Sequence, residues 1–295
     1  MKDLLSPKEF AEAIGVSQSS IKRWADEGRI EAARTAGGHR RIPIAEAVRF
    51  VRETGASVVQ PQALGLPGSS RIGRGVARLD TATAELEAHL RAGATSACRG
   101  LILSLYFSGL EIAEIADGPV RTCFQRLGSL YEHEGDEGIF VEHRSTQICL
   151  QAFHTLRSVI TEQAEGPMAI GGAAPGDPYQ LPTLIASTAL SSIGFRAINL
   201  GPDTPLSTLE EAARRHGARV LWLSVSSAED AEMLRAGIDS LMDALTETGT
   251  GLALGGRAVS EIPLRPRPGL FVGRSMSELV AFARGIVTLP VISST

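Results

Sequence analysis

Apolar residues recur at helical spacing through the middle of the chain and in short runs through its last part. Residues 77–165 contain four stretches of helical period, LDTATAELEAHLRAG, SACRGLILSLYFSG, GPVRTCFQRLGSLYEHEG and VEHRSTQICLQAFHTLRSVITEQ. Because short connections join them, they predict an antiparallel four-helix bundle. Over residues 166–295, five short apolar runs alternate with helical segments. This alternation predicts a doubly wound α/β domain with a five-stranded parallel sheet, a flavodoxin-like (Rossmann-like) fold.

The first 54 residues have the pattern of a small helical domain that contains a hairpin. Ser6 begins a capping motif that opens a helix predicted over residues 3–16. A second helix is predicted over residues 17–28, where a glycine suits a helix end. Residues 30–42 rise and return around a Gly-Gly turn, which predicts a short polar hairpin. A third helix, predicted over residues 43–54, closes this head domain.

The segment after the head has the composition of a linker. Residues 55–76 are rich in Gly, Pro and Ser and show no sustained period, so we expect the head to move relative to the body. Residues 1–55 hold ten Lys and Arg against eight Asp and Glu, a net charge of +2. Since the whole chain carries −4, the remainder carries −6. A weakly basic head on an acidic body indicates a multidomain protein with one nucleic-acid-binding part.

The composition narrows the class of protein further. The chain of 295 residues is 43% hydrophobic, yet it contains no apolar run long enough to span a membrane. Its start does not resemble a signal peptide, and we expect a cytoplasmic protein without a membrane partner. The three cysteines form no C-x-x-C pair, so we expect them to be buried as small hydrophobic residues rather than to bind metal.

Cations concentrate where a helix and hairpin could contact DNA. The exposed positions of the second predicted helix are Ser19, Ser20, Lys22 and Arg23. The hairpin carries Arg34, His39, Arg40 and Arg41. A helix followed by an arginine-tipped β-ribbon suits two neighbouring DNA grooves, with cations at the phosphates. The alternative is a small helical domain whose charges only keep it soluble. The clustering of the cations and the position of the Gly-Gly turn favour DNA binding.

The head resembles the winged helix-turn-helix domain of MerR regulators. The resemblance covers residues 3–54 and lies in SPKEFAEAIGVSQSSIKRWADEGRI and the GGHRR that follows it. It implies that residues 17–28 form the recognition helix and that the hairpin is a wing contacting phosphate or the minor groove. The implied partner is a double-stranded DNA operator. Because one half-site offers little affinity, we expect a homo-oligomer.

The last domain resembles the cobalamin-binding domain, whose pattern is Asp-x-His-x-x-Gly, then Ser-x-Leu, then Gly-Gly. Here DPYQLP (residues 177–182) follows the first predicted strand, and SVS (residues 224–226) and GG (residues 255–256) follow at similar spacing. A four-helix bundle before this domain is also the arrangement of that family. With the winged head included, the whole chain resembles the light-responsive repressors of the CarH/CarA type.

The departures from the cobalamin pattern concern the metal ligand. The family's lower axial ligand to cobalt is the histidine, held by the aspartate, and Tyr179 stands in its place. A phenol would have to ionise to compete for the metal. If the phenol is buried instead, it needs a hydrogen-bond partner, and Asp177 is the nearest candidate. Pro182 and Ser226 replace the glycine and the leucine. The family residues that remain are Asp177, Ser224, Gly255 and Gly256.

The helical body carries a second part of the resemblance. The family places a tryptophan, and about ten residues later Glu-His, over the upper face of the corrin. Here Tyr131 stands at the tryptophan and Glu142 and His143 at the Glu-His. The alternative for Glu142 and His143 is a surface cap at the start of the fourth predicted helix.

These patterns predict a DNA-binding transcriptional regulator, a repressor by resemblance, rather than an enzyme. Three alternatives remain for the ligand of its sensory body. The first is cobalamin bound without a lower histidine, and the second is haem or another flat tetrapyrrole bound through Tyr179. In the third, the body binds no macrocycle and responds to a protein partner. The alternative function is a corrinoid carrier for methyl transfer. The winged head and the missing axial histidine count against that alternative.

Overall fold

Two units make up the computed structural model, Met1–Thr161 and Glu162–Thr295. The structure describes residues 3–64, 77–128, 131–160 and 165–288. The elements at the start of the first unit are β1 (Leu4–Leu5), α1 (Pro7–Ile14), α2 (Gln18–Asp26), β2 (Ala33–Arg34), β3 (Arg40–Pro43) and α3 (Ile44–Thr54). The strands form a small antiparallel sheet in the order β1-β3-β2. Residues 4–54 therefore have the predicted helix, helix and wing.

The first helix is shorter than predicted, because its capping box fixes where it starts. The Ser6 hydroxyl accepts a hydrogen bond from the Glu9 backbone N–H (3.2 Å), and the Glu9 carboxylate accepts one from the Ser6 backbone N–H (2.8 Å). Residues before Ser6 remain extended as β1, in which Leu5 lies opposite Ile42 and is fully buried. The core of this domain consists of Leu5, Phe10, Ala13, Ile21, Ile30, Ile42, Ala47 and Phe50.

Part of the predicted linker packs against α1. The backbone N–H groups of Val59 and Gln60 donate to the Ala13 carbonyl at 2.7 and 3.1 Å. A 3-10 helix, Pro61–Leu64, follows, and Leu64 is fully buried. Residues 55–64 are thus attached to the head, because the exposed end of α1 offers a free carbonyl and an apolar surface. The rest of the predicted linker lies outside the described residues.

The helical body departs from the four helices that the sequence predicted. Its elements are α4 (Ala77–Arg91), α5 (Thr95–Phe107), α6 (Ile112–Ile115), a π-helical turn (Ala116–Val120), α7 (Arg121–Gly128) and α8 (Tyr131–Arg157). The described residues of the third predicted helix lie in the π-helical turn, in α7 and in the first residues of α8, and residues 129–130 lie outside the described part of the chain. Within α8, Gly135 interrupts the helix with φ 55° and ψ −131°, values that glycine adopts readily. In the described parts of the chain, no helix is long and apolar enough to cross a membrane.

The second unit confirms the predicted doubly wound sheet. Its elements are β4 (Met168–Ala173), α9 (Gln180–Ser192), β5 (Arg196–Asn199), α10 (Leu206–His216), β6 (Val220–Ser224), α11 (Ala231–Thr248), β7 (Gly251–Gly255), β8 (Leu270–Val272) and α12 (Met276–Thr288). The strands are parallel in the order β5-β4-β6-β7-β8. This is the flavodoxin-like order, in which ligands bind outside the carboxyl ends of the strands.

A buried tryptophan fills one face of this sheet. Trp222 on β6 belongs to the apolar cluster that also contains Leu190 of α9 and Leu279 of α12. Its indole N–H donates to the Thr183 hydroxyl (2.9 Å), and that hydroxyl donates to the Asn199 side-chain carbonyl (2.9 Å). The opposite face of the sheet packs against α10 and α11 through Leu209, Leu221, Leu223, Ile238, Leu241 and Leu252.

A glycine on the neighbouring strand makes room for this tryptophan. Gly171 of β4 lies opposite Trp222, and a Cβ there would meet the indole ring at 2.2 Å. We expect Gly171→Ala to lower the free energy of unfolding of the second unit by about 1–3 kcal/mol, as overpacked cores do. The matched control is Gly255→Ala, since its Cβ would lie 3.6 Å from the nearest atom. Urea unfolding of both variants measures the difference, and equal stability would contradict the tight packing.

Candidate functional site

The recognition helix predicted in the head has an exposed polar face. Ser17 caps α2, since its hydroxyl accepts the Ser20 backbone N–H (3.1 Å). The Ser17 hydroxyl also lies 2.8 and 2.9 Å from the hydroxyls of Ser19 and Ser20. Lys22 and Arg23 are exposed on the same helix, whereas Ile21 is fully buried. The helix therefore presents hydroxyls at its N-terminus and cations one turn later, as the sequence predicted.

The predicted wing is present, and its cations differ in their surroundings. Arg34 lies opposite Arg40 across the β2–β3 pair, and Arg34 and His39 are exposed. Arg40 is different, because its guanidinium forms an ion pair with Asp26 at the end of α2. Arg41 is partly buried and donates to the Arg40 carbonyl (3.2 Å). Arg40 thus attaches the wing to α2, whereas Arg34 and His39 are exposed to solvent.

A buried carboxylate on α3, which sequence reasoning missed, holds the loop between α2 and the wing. Glu46 is 6% exposed and accepts the backbone N–H of Glu31 at 2.9 Å. It also accepts from the Arg49 guanidinium at 2.7 and 2.5 Å, and this hydrogen bond raises the pKa of Arg49. Arg49 in turn donates to the Arg29 carbonyl (3.0 Å). In the sequence, Glu46 has the pattern of an ordinary acidic residue in a first helical turn, and nothing there signals its burial.

In the second unit, the cobalamin-pattern residues come together at the carboxyl edge of the sheet. Asp177 is fully buried and accepts two backbone N–H groups, from Tyr179 at 2.9 Å and from Ser226 at 2.5 Å. Its own N–H donates to the Ala174 carbonyl. Asp177 therefore joins the loop after β4 to the loop after β6.

The Tyr179 phenol is paired with an arginine that the sequence analysis did not select. The Arg257 guanidinium donates to the Tyr179 hydroxyl (2.9 Å), and its carbon lies 4.8 Å from the centre of the ring. Arg257 also donates to the Ser226 carbonyl at 2.7 Å. Asp177 was the partner expected for a buried phenol, but Tyr179 is 39% exposed and its hydroxyl accepts from Arg257 instead. Arg257 follows Gly255-Gly256 directly, and this position was the signal available in the sequence.

Ser224 and the two glycines meet at the ends of β6 and β7. Ser224 lies between Ala173 and Gly255 in the sheet, and its buried hydroxyl has no hydrogen-bond partner among the described residues. Only Leu223 separates it from Trp222, so the side chains of Ser224 and Trp222 point to the same face of the sheet. Gly256 has φ 124°, and a Cβ there would lie 2.1 Å from the Val225 carbonyl oxygen. At this site, the Ser224 hydroxyl lacks a hydrogen-bond partner among the described residues, and Trp222 fills the adjoining apolar face of the sheet.

The predicted upper-face residues lie on α8 in the first unit. Tyr131 is its first residue, and Glu142 and His143 follow the Gly135 break by two turns. Glu142 therefore does not open a helix, as the alternative expected, whereas His143 is exposed, as a surface histidine would be. Glu142 is partly buried, His143 is exposed, and the neighbouring Phe140 is 54% exposed.

The next features concern metal-ligating groups and cysteine thiols in the described part of the chain. There, no group of three or more His, Cys, Asp or Glu is placed to hold a metal ion. The cysteines are buried, and burial raises the pKa of Cys98 to about 11 and that of Cys123 to about 12. Burial raises the pKa of Cys149 as well. These thiols stay protonated at neutral pH, as expected of small hydrophobic residues.

The loop connection through Asp177 is open to a direct test. We expect Asp177→Asn to lower the free energy of unfolding of the second unit by about 2 kcal/mol, since an amide has one acceptor oxygen for two buried N–H donors. Asp243→Asn is the matched control, because the Asp243 side chain is 72% exposed in its ion pair with Arg267. Denaturant unfolding of the two variants gives the comparison. An Asn variant as stable as the native chain would show that the two N–H donors find other acceptors.

Comparison with known proteins supports both parts of this description. Residues 4–54 match the family model of a helix-turn-helix domain. Among curated proteins, none matches the chain in sequence. The fold is similar to that of the Methanosarcina barkeri monomethylamine corrinoid protein, with a TM-score of 0.52 and 19% identity over 70% of this chain and 99% of that one. At this identity, the similarity establishes a shared fold.

Two further solved structures show weaker similarity. One is the methanol:cobalamin methyltransferase complex MtaBC from Methanosarcina barkeri, with a TM-score of 0.36 and 18% identity over 72% of this chain and 83% of that one. The other is a cobalamin-binding protein from Desulfitobacterium hafniense DCB-2, with a TM-score of 0.35 and 15% identity over 70% of this chain and 98% of that one. The chain thus combines an N-terminal helix-turn-helix domain with a helical body and a five-stranded parallel sheet.

Proposed function

We propose that this chain is a DNA-binding transcription regulator of the MerR type, a repressor, with the α/β unit as its regulatory part. The observation that carries the proposal is the exposed face of α2, where Ser19, Lys22 and Arg23 stand beside a wing with exposed Arg34. This face lies within the residues that match a helix-turn-helix domain. Cations on a groove-sized helix and on an adjacent ribbon supply phosphate contacts and orient the helix for base contacts.

The residues present do not fit a corrinoid held from below by a protein ligand. Position 179 offers a phenol in place of a neutral nitrogen donor, and that phenol is bonded to Arg257. Asp177, which in the family pattern would orient the ligand, is occupied by two backbone N–H groups. The sheet face that the unsatisfied Ser224 hydroxyl shares is filled by Trp222. These observations support weak or absent cobalamin binding by the native chain. They count equally against a corrinoid carrier for methyl transfer.

A second candidate ligand, haem, is favoured by the pairing of Tyr179 with Arg257. A tyrosine oxygen is an established axial ligand to haem iron, and the Arg257 guanidinium holds the Tyr179 hydroxyl at the carboxyl edge of the sheet. The Tyr179 residue is 39% exposed, so part of it faces solvent at the sheet edge. When bound, haem would supply a redox- or gas-responsive iron. The third candidate state has no macrocycle and responds to a protein partner.

The DNA-binding proposal predicts a specific salt dependence. We expect Arg23→Ala and Arg34→Ala each to weaken binding to duplex DNA and to lower the slope of log affinity against log salt by about one unit, since each removes one phosphate contact. Lys8→Ala is the control, because Lys8 is an exposed cation on α1. Fluorescence anisotropy at several salt concentrations gives both quantities. If neither variant differs from the control, the assignment of α2 and the wing to DNA fails.

The ligand that the α/β unit binds determines whether titration with cobalamin or with haem changes the absorbance spectrum. We expect no tight complex of the native chain with adenosyl- or hydroxocobalamin in the dark. Tyr179→His should restore none, because Trp222 still fills the sheet face. If haem is the ligand, a haem titration gives a tyrosinate-type absorbance spectrum that Tyr179→Phe abolishes. A stoichiometric, tight cobalamin complex of the native chain would show that its residues do fit a corrinoid. No spectral change with either cobalamin or haem would favour a protein partner.

A further inference from the structure

One arginine at the end of α3 connects the DNA-binding head to the helical body. The Arg52 guanidinium donates to the backbone carbonyls of Tyr106 (2.5 Å) and Leu110 (2.9 Å), at and just after the end of α5. It also pairs with the Glu111 carboxylate at 3.1 Å. Its carbon lies 4.0 Å from the centre of the Tyr106 ring, and its side chain is only 19% exposed. Three acceptors and one ring face thus hold a single cation at the corner between α5 and α6.

This set of contacts uses properties that are specific to arginine. The fixed fork of a guanidinium lets one side chain serve several acceptors at once, and its flat face stacks on an aromatic ring. A cation also suits the carbonyl end of a helix, where the partial charge is negative. Because the side chain is largely buried, loss of its partners would leave a charge without solvation. These contacts of Arg52 form a joint between α3 and the α5–α6 corner. The joint has a fixed geometry and depends on one residue.

The same helix also holds the DNA-reading elements. Near its start, the Glu46 carboxylate and Arg49 bind the backbone of the loop between α2 and the wing, at Glu31 and Arg29. Near its end, Arg52 binds the body. A helix of eleven residues is about 16 Å long and bends little, so its two ends move together. A displacement of the α5–α6 corner would therefore reach the loop that positions α2.

We propose that Arg52 is a positioning residue that sets the direction of the DNA-reading face relative to the helical body. Through α3, the α5–α6 corner controls how α2 and the wing meet DNA. The DNA step of this inference rests on the proposed function, whereas the joint itself does not. The sequence predicted that the head moves freely relative to the body. Arg52 instead holds the head in one orientation, and removal of this cation releases it.

The joint is tested without DNA by a distance measurement on the full chain. Spin labels are attached to cysteines introduced at two exposed positions, Lys8→Cys on α1 and Ser96→Cys on α5. The native cysteines are buried and remain unlabelled under mild conditions. We expect one narrow distance distribution for the native background, a broad one for Arg52→Ala, and an intermediate one for Arg52→Lys. The control is Arg214→Ala, which removes an exposed cation on α10 in the second unit.

The coupling to DNA is tested by affinity and salt slope together. We expect Arg52→Ala to weaken binding of the full chain to duplex DNA by roughly threefold or more, as coupling residues do, while leaving the salt slope unchanged because no phosphate contact is lost. A distance distribution as broad in the native background as in Arg52→Ala overturns the joint. A salt slope lowered by about one unit makes Arg52 a phosphate contact and overturns the positioning role. If Arg23→Ala leaves DNA binding unchanged while Arg52→Ala still broadens the distance distribution, the proposed function fails and the contact through Arg52 stands.

Discussion

A buried carboxylate must be satisfied by hydrogen bonds, and both candidate sites depend on this constraint. In the second unit, Asp177 meets it with the backbone N–H groups of two different loops, so the loops after β4 and β6 are held in one arrangement. In the head, Glu46 meets it with the Glu31 N–H and the Arg49 guanidinium. Each carboxylate lies beneath the surface that a ligand would contact, and each fixes the backbone of that surface.

The second unit combines a shared fold with its own arrangement of side chains at the sheet edge. The strand order, the buried Asp177 and the Gly256 turn fix the backbone at the carboxyl edge of the sheet. That edge carries the hydrogen-bonded pair of Tyr179 and Arg257, and Trp222 fills the neighbouring face. A shared fold with a corrinoid protein therefore says how this unit is built. What it binds depends on side chains that the fold leaves free to vary.

In the first unit, one short helix, α3, contacts both the helix-turn-helix elements and the helical body. The N-terminal half of α3 holds the loop that precedes the wing, and the C-terminal end of α3 contacts the body through Arg52. Arg40 adds a second fastening, between the wing and α2, through Asp26. Cations that look alike in sequence thus divide into those that face solvent, such as Arg23, and those that hold the structure together.

The features that could be predicted from the sequence are those that arise from short-range forces. Alternation of apolar runs with helical segments predicted the five parallel strands, and the Ser6 capping box marked the start of α1. Such signals work because periodicity and capping involve residues a few positions apart. The tertiary structure alone decided that Arg257 reaches Tyr179, 78 positions away, and that Arg52 reaches Tyr106, 54 positions away. Those pairings depend on which loops the closed sheet and the packed helices bring together, and local pattern does not encode that geometry.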